Sequence, residues 1–288
     1  MTDVLSLHYG AVFKQAFSNP TVFHSFVRDV TGVSVNVQRI HTEYEYPERV
    51  GNINVKYDLF AEDTEQRIII EIQHMKEEDF FPRFLYYHML GIMQQATSHD
   101  EYEPAKTVYT IVVLTSVPRD SSITFSWGRH LTELLDEYGD RHIFAPHQLI
   151  FLTPRLVNEN TPAAVKPWLE VIADSLDKEL DENDYPDPSI KELISEILRS
   201  TMSAEVSTAI KDESAWEKAK ARFRREARQD GLKEGLKTGR QEGRQEGLEQ
   251  GRRQQQEMTA RVMMEQGIHI SIISTATGLS ESEIEALS

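Results

Sequence analysis

Arg67-Ile68-Ile69-Ile70-Glu71-Ile72-Gln73-His74, preceded by Asn54-Val55-Lys56-Tyr57-Asp58-Leu59-Phe60-Ala61-Glu62, decides how this chain is read. Both stretches are rich in β-branched and aromatic residues. The polar Asp63-Thr64-Glu65-Gln66 lies between them, so the pair reads as a β-hairpin. With the turn centred between Thr64 and Glu65, Asp58 falls opposite Glu71 and Lys56 opposite Gln73. Directly opposed side chains in an antiparallel pair have Cβ atoms about 5 Å apart. Two carboxylates so placed in an apolar sheet repel each other and resist desolvation. A hard divalent cation between them removes the conflict, because Mg²⁺ accepts one or two carboxylates and keeps several waters. Gln73 lies two residues beyond Glu71 and so points to the same face. That face carries Asp58, Glu71, Gln73 and, by register alone, Lys56. A slip of one residue would send Lys56 to the other side.

Outward from the hairpin, residues 8–31 predict two helices. Phe13, Phe17, Phe23, Phe26 and Val27 recur at helical spacing, and Asn19-Pro20 breaks the run. Val33 to Glu45 predicts a strand, residues 79–98 a helix, and Thr107 to Leu114 a buried strand. Ser122 to Trp127 and His142 to Leu152 predict two more strands. This order fits an α/β sandwich around a mixed sheet. Beyond Pro154 the pattern turns helical: Pro162 to Leu176 is one helix, acidic Asp177 to Pro188 a linker, and Ser189 to about Ala227 a helix or helix pair.

Gly231, Gly235, Gly239, Gly243, Gly247 and Gly251 then recur every four residues. Each helical glycine costs about 1 kcal/mol relative to alanine, so six cost on the order of 6 kcal/mol. Three readings stay open for this stretch. It is a flexible charged spacer, or a close-packed helix pair using the small-residue stripe. Alternatively it touches nucleic acid through Arg240, Arg244, Arg252 and Arg253. Met258 to Leu287 regains a core-like pattern. There Ser280 and Glu283 spell a capping box in a helix-turn-helix style. Its would-be reading helix, Glu281 to Glu285, lacks Arg and Lys, so docking or self-association is expected there rather than base reading.

The 288 residues carry a net charge of −16 and no cysteine. Disulfides, thiolate zinc sites and cysteine nucleophiles are excluded, and a reducing cytoplasm is the expected location. No apolar run reaches the roughly 18 residues of a membrane span, and no signal-peptide layout opens the chain. The charge is uneven: residues 211–261 hold 14 Lys+Arg against 10 Asp+Glu, a local +4. An acidic body predicts weak, salt-dependent affinity for nucleic acid unless a metal or partner helps.

Asp58, then Glu71-Ile72-Gln73, then Phe81-Pro82-Arg83-Phe84-Leu85-Tyr86-Tyr87 resembles the PD-(D/E)XK nuclease superfamily. The likeness is to its transposase-like, recombination-promoting nucleases. Phe13-Lys14-Gln15-Ala16-Phe17 and the Gly-Arg/Lys-x-Glu tail belong to the same resemblance. It covers roughly residues 1–155 well and 230–285 in style. It implies a restriction-endonuclease-like mixed sheet flanked by helices over residues 1–155. A helical segment with an acidic linker (156–230), the glycine repeat (231–256) and a small helical module (257–288) then follow.

The activity implied is Mg²⁺-dependent hydrolysis of DNA phosphodiesters in recombination or transposition, with Mn²⁺ able to substitute. Asp58 and Glu71 would hold the metal, joined by the Ile72 carbonyl. Gln73 stands where the superfamily has lysine, and Lys56 would restore the missing charge. Lys14, Arg83 and Tyr87 would serve the substrate. Related sequences often carry an acid where this chain has Gly10, and Glu43, Glu45 and Glu48 are the substitutes at hand. A homodimer through the glycine helix would supply two sites for two strands.

Bland alternatives accompany these roles. Asp58 and Glu71 pair with Lys56 and Arg83, Gln73 ends its strand on backbone, Arg83 pairs at the surface, and Tyr87 is core. His74 faces away from Gln73. The rival function is a nuclease-fold protein that binds partners or assembles without cutting.

Overall fold

The computed structural model describes residues 5–46, 55–74, 80–95, 104–116, 123–177, 180–201 and 203–287. They form two compact units, Met1–Glu213 and Ser214–Ser288.

The first unit is built on a six-stranded mixed sheet. Its strands are β1 (Ile40–Glu45), β2 (Lys56–Glu62), β3 (Gln66–Gln73), β4 (Thr107–Leu114), β5 (Trp127–Leu135) and β6 (Arg141–Leu152), ordered β1-β2-β3-β4-β6-β5. The pairs β1–β2, β2–β3 and β5–β6 are antiparallel, whereas β3–β4 and β4–β6 are parallel. The hairpin has the expected register, with Leu59 against Ile70, Phe60 against Ile69, Ala61 against Ile68 and Glu62 against Arg67. β3 and β4 lie in the middle and are covered on both faces, so they read as unbroken apolar runs.

On one face pack α1 (Gly10–Phe17), α2 (Pro20–Thr31), α4 (Lys166–Asp177) and α5 (Pro188–Ser200). Phe13, Phe17, Phe26, Trp168 and Ile197 meet Ile68, Ile70, Ile111 and Val113 there. On the other face lies α3 (Phe80–Met93), whose Phe84 and Leu90 cover the side of the sheet that carries Ile69, Val108 and Val112. Gly91 permits the close approach of α3, since a Cβ there would stand 2.8 Å from Ile69 Cδ1.

Several expected boundaries move. The first strand begins at Ile40, not Val33. Residues 123–126 are not strand. The strand starts at Trp127 and runs on to Leu135, through a polar stretch without an apolar alternation to announce it. Residues 96–98 of the expected helix, and residue 122, lie outside the described residues. The acidic linker is pinned rather than free, because Leu180 and Tyr185 are buried and the Tyr185 hydroxyl binds Asp174. Residues 156–213 therefore share the core of the sheet.

The outer part of β5 and β6 pairs only with itself. β6 meets β4 from Gln148 onward, while residues 141–145 pair with β5 alone. This two-stranded ribbon leaves Leu135, Tyr138 and Ile143 exposed.

α6 (Ala204–Glu265) contains the boundary between the units and all six repeat glycines, so the stretch expected as a spacer or helix pair is helical. Its mid-portion is exposed on every side, and a Cβ added at any of these glycines would meet nothing within 4 Å. In the second unit, the end of α6 packs with α7 (Ile270–Thr277) and α8 (Glu281–Glu285) around Ala260, Ile273, Leu279 and Ile284. The capping box of Ser280 and Glu283 is present. Among the described residues no helix is long and apolar enough to cross a membrane.

Candidate nuclease site

The regular ladder of β2 and β3 gives way at Asp58. Tyr57 and Phe60 pack into one apolar cluster, although strict alternation would put them on opposite faces. The two acids bind backbone across the strands. The Asp58 N–H donates to Glu71 Oε1 at 3.2 Å, and the Ile72 N–H donates to Asp58 Oδ2 at 2.9 Å. The expected juxtaposition of Asp58 and Glu71 is therefore present.

Glu71 is 6% exposed. Burial, reinforced by the charge of Asp58, pushes its carboxyl well above the usual carboxylate range. The Asp58 amide, Arg83 and Lys14 only partly oppose this. Asp58 is raised too, chiefly by burial, against the pull of the Ile72 amide and Lys14. Both acids thus occupy ground that disfavours their charged forms.

The cations are placed differently from the register estimate. Lys56 does not turn to Gln73. Its side chain is half exposed and ion-pairs with Glu43 at 2.5 Å. Lys14, from α1, also binds Glu43, at 2.6 Å, and its Nζ lies 3.8 Å from Asp58 Oδ1. Strand geometry alone favours Lys56; it is the helix packing that brings Lys14 to Asp58. Glu43 is held down to about 2 by its hydrogen bonds to the two lysines. Glu45 is the next acid along β1, and Glu48 lies outside the described residues.

On the α3 side, Arg83 Nη2 donates to Gln73 Oε1, and the guanidinium lies 4.7 Å from the centre of the Phe84 ring. Arg83 thus holds Gln73, while its charge also favours the ionised form of Glu71. Tyr87 packs edge-on against Phe84 and Tyr57, and its carbonyl accepts the Tyr57 hydroxyl. This fits the core reading of its ring.

His74 faces the other way, as expected. It stacks near His8, with ring centres 4.1 Å apart, and its Nε2 lies 2.5 Å from Glu213 Oε1. Both Glu213 oxygens accept the Gly10 N–H at 3.1 Å. Burial would raise this carboxyl, but His74 and the Gly10 amide outweigh it and lower it. No local spacing announces Glu213, because its partners are 139 and 203 residues distant. It brings a carboxylate to Gly10, the position whose missing acid the sequence leaves open.

Among the described residues no set of three or more His, Asp and Glu is poised to ligate a metal. What is assembled is an acidic pair with two lysines, a glutamine and an arginine around it.

A family model described as PD-(D/E)XK nuclease family transposase matches residues 12–221. The chain belongs to this family. The match spans the sheet and the helices that carry Lys14, Asp58, Glu71, Gln73 and Arg83, and it agrees with a restriction-endonuclease-like α/β fold. Membership in this nuclease family gives a nuclease- and transposition-related function and implies dealings with DNA. Nucleases of the family generally use divalent metals. No curated protein matches the chain.

Proposed function

We propose that this chain is a Mg²⁺-dependent endonuclease that hydrolyses DNA phosphodiester bonds during recombination or transposition. One observation carries the reading. Glu71, buried and raised well above the usual range, is hydrogen-bonded to the amide of a second acid that is also raised. An acidic pair with one buried and one part-buried carboxyl is unfavourable as a structural device. It becomes favourable when a divalent cation shares it, and oxygen donors of this kind suit Mg²⁺ or Mn²⁺.

Asp58 and Glu71, with the Ile72 carbonyl, would hold that ion. A bound cation would polarise the phosphoryl oxygen and lower the pKa of a water. Gln73, steadied by Arg83, orients the attacking water through its amide but accepts no proton from it. Lys14 presents an ammonium to the developing charge on the phosphate, a role that electrostatic preorganisation rewards. Lys56 stands behind it across Glu43. Tyr87 shapes the wall beside Arg83. A homodimer through α6 accompanies this reading, since two sites cut two strands and the glycines offer an open surface.

Plasmid nicking in Mg²⁺, wild type against Asp58→Ala, tests the proposal. Metal-dependent nicking that the substitution abolishes supports it. Equal nicking by both proteins, or none by the wild type, leaves the binding scaffold as the better account.

A further inference from the structure

We infer that Glu43 is a positioning residue of the proposed hydrolytic site, holding Lys14 beside Asp58 but off its oxygens. The inference rests on the nuclease reading above and adds a residue that the reading does not use.

Glu43 lies inside β1 with φ +54°, the one positive-φ residue other than glycine among those described. Side chains rarely adopt that left-handed conformation, and it is held only where surrounding structure dictates it. The strand continues on both sides of it, with Thr42 against Leu59 and Tyr44 against Tyr57. The break is thus one residue wide, and it lies across from Asp58, where β2 also loses its alternation.

The distorted backbone brings one carboxylate to two ammonium groups from different elements. Oε1 takes Lys14 of α1 at 2.6 Å and Oε2 takes Lys56 of β2 at 2.5 Å. Half-exposed ion pairs of this kind contribute little to stability, so stability does not account for the strained residue. Placement does. Lys14 is close to Glu43 and 1.2 Å farther from Asp58, at 3.8 Å. Without Glu43, the ammonium loses its nearer partner and closes on Asp58, the acid already 3.8 Å away. It then occupies the oxygens that a divalent cation needs. Glu43 therefore acts through Lys14, keeping the cation site open while leaving a positive charge at its rim.

Mn²⁺ binding, followed by electron paramagnetic resonance, tests this in full-length wild type, Glu43→Gln, Glu43→Gly and Glu43→Gln/Lys14→Met. Both single variants should bind Mn²⁺ about tenfold more weakly, and the double variant should recover most of the loss, the coupling expected of neighbours acting as a unit. Glu43→Gly should also melt at or above the wild-type temperature, because glycine accepts the positive φ. That outcome separates loss of placement from loss of fold. Wild-type affinity in Glu43→Gln, or no recovery on removing Lys14, overturns the inference and leaves the nuclease reading standing. A wild type that takes up no Mn²⁺ overturns both.

Discussion

The sheet unit and the long helix both contain features that work against folding, and they treat them in opposite ways. In Met1–Glu213 the unfavourable feature is local: two raised carboxyls and a positive-φ glutamate gathered within one strand junction. A core of stacked phenylalanines and paired isoleucines surrounds that junction and holds it in place. In Ser214–Ser288 the unfavourable feature is spread along a helix, one glycine per turn, and among the described residues nothing fills the space the glycines leave. Concentrated strain supported by a core is the mark of a site. Distributed weakness with open space is what the proposed homodimer through α6 would use.

The sharpest way to break this contrast is at Glu71. Glu71→Gln keeps the acceptor for the Asp58 amide and removes the charge. Nicking should fall about 100-fold, or about 2.7 kcal/mol of transition-state stabilisation, while the metal-free protein melts higher. A lower melting temperature would mean that the buried charge serves the fold, and the two regions would then differ less than claimed.

The second test falls on the helix. Gly239→Ala with Gly243→Ala should stabilise an isolated helix by about 2 kcal/mol, read as a steeper and later thermal melt by circular dichroism. If the glycines are the contact surface of a dimer, the same change reduces the mass measured by light scattering. An unchanged mass would remove the dimer through α6 and leave only the gain in helicity.

The smallest effect is the pH dependence. Glu71 and Asp58 are raised on folding, so the native state binds more protons than the unfolded one just above their ordinary values of 4.5 and 3.8. Stability of the metal-free protein should therefore rise as pH falls toward those ordinary values. Saturating Mg²⁺ should flatten that slope, because a bound cation favours the charged forms. Glu43 works in a separate window. Lowered to about 2 from 4.5 but half exposed, it contributes only a small, solvent-screened stability above 4.5, lost as pH falls through about 2. A melting temperature whose pH dependence above those ordinary values is the same with and without Mg²⁺ would count against metal at the acidic pair.

The acidic pair of the candidate site is legible in the sequence, for a reason of period and turn. The hairpin pattern repeats every two residues and its turn is short, so one choice of turn centre places Asp58 against Glu71; β2 and β3 adopt that register from Leu59–Ile70 to Glu62–Arg67, and the two acids meet just beyond it through backbone hydrogen bonds. Where the reading was incomplete, the cause was tertiary. Strand register alone points Lys56 at Gln73, yet a long flexible side chain goes to the nearest acid, and that acid stands on a strand bent out of pattern. Lys14 had been singled out by its helix motif, but its distance to Asp58 depends on how α1 packs. Glu213 carried no signal, being brought to Gly10 and His74 only by the fold. The strand from Trp127 to Leu135 was missed because neither of its faces is consistently apolar.

That outer ribbon of β5 and β6 has a practical corollary. Amides between Thr132 and Ala145 have a single neighbouring strand to shelter them, so they should exchange with deuterium well ahead of those in β3 and β4. The same finger carries Tyr138 at 83% exposure beside Leu135 and Ile143. An exposed apolar strand end of this kind favours association in concentrated solution, and charging it should help the protein stay dispersed.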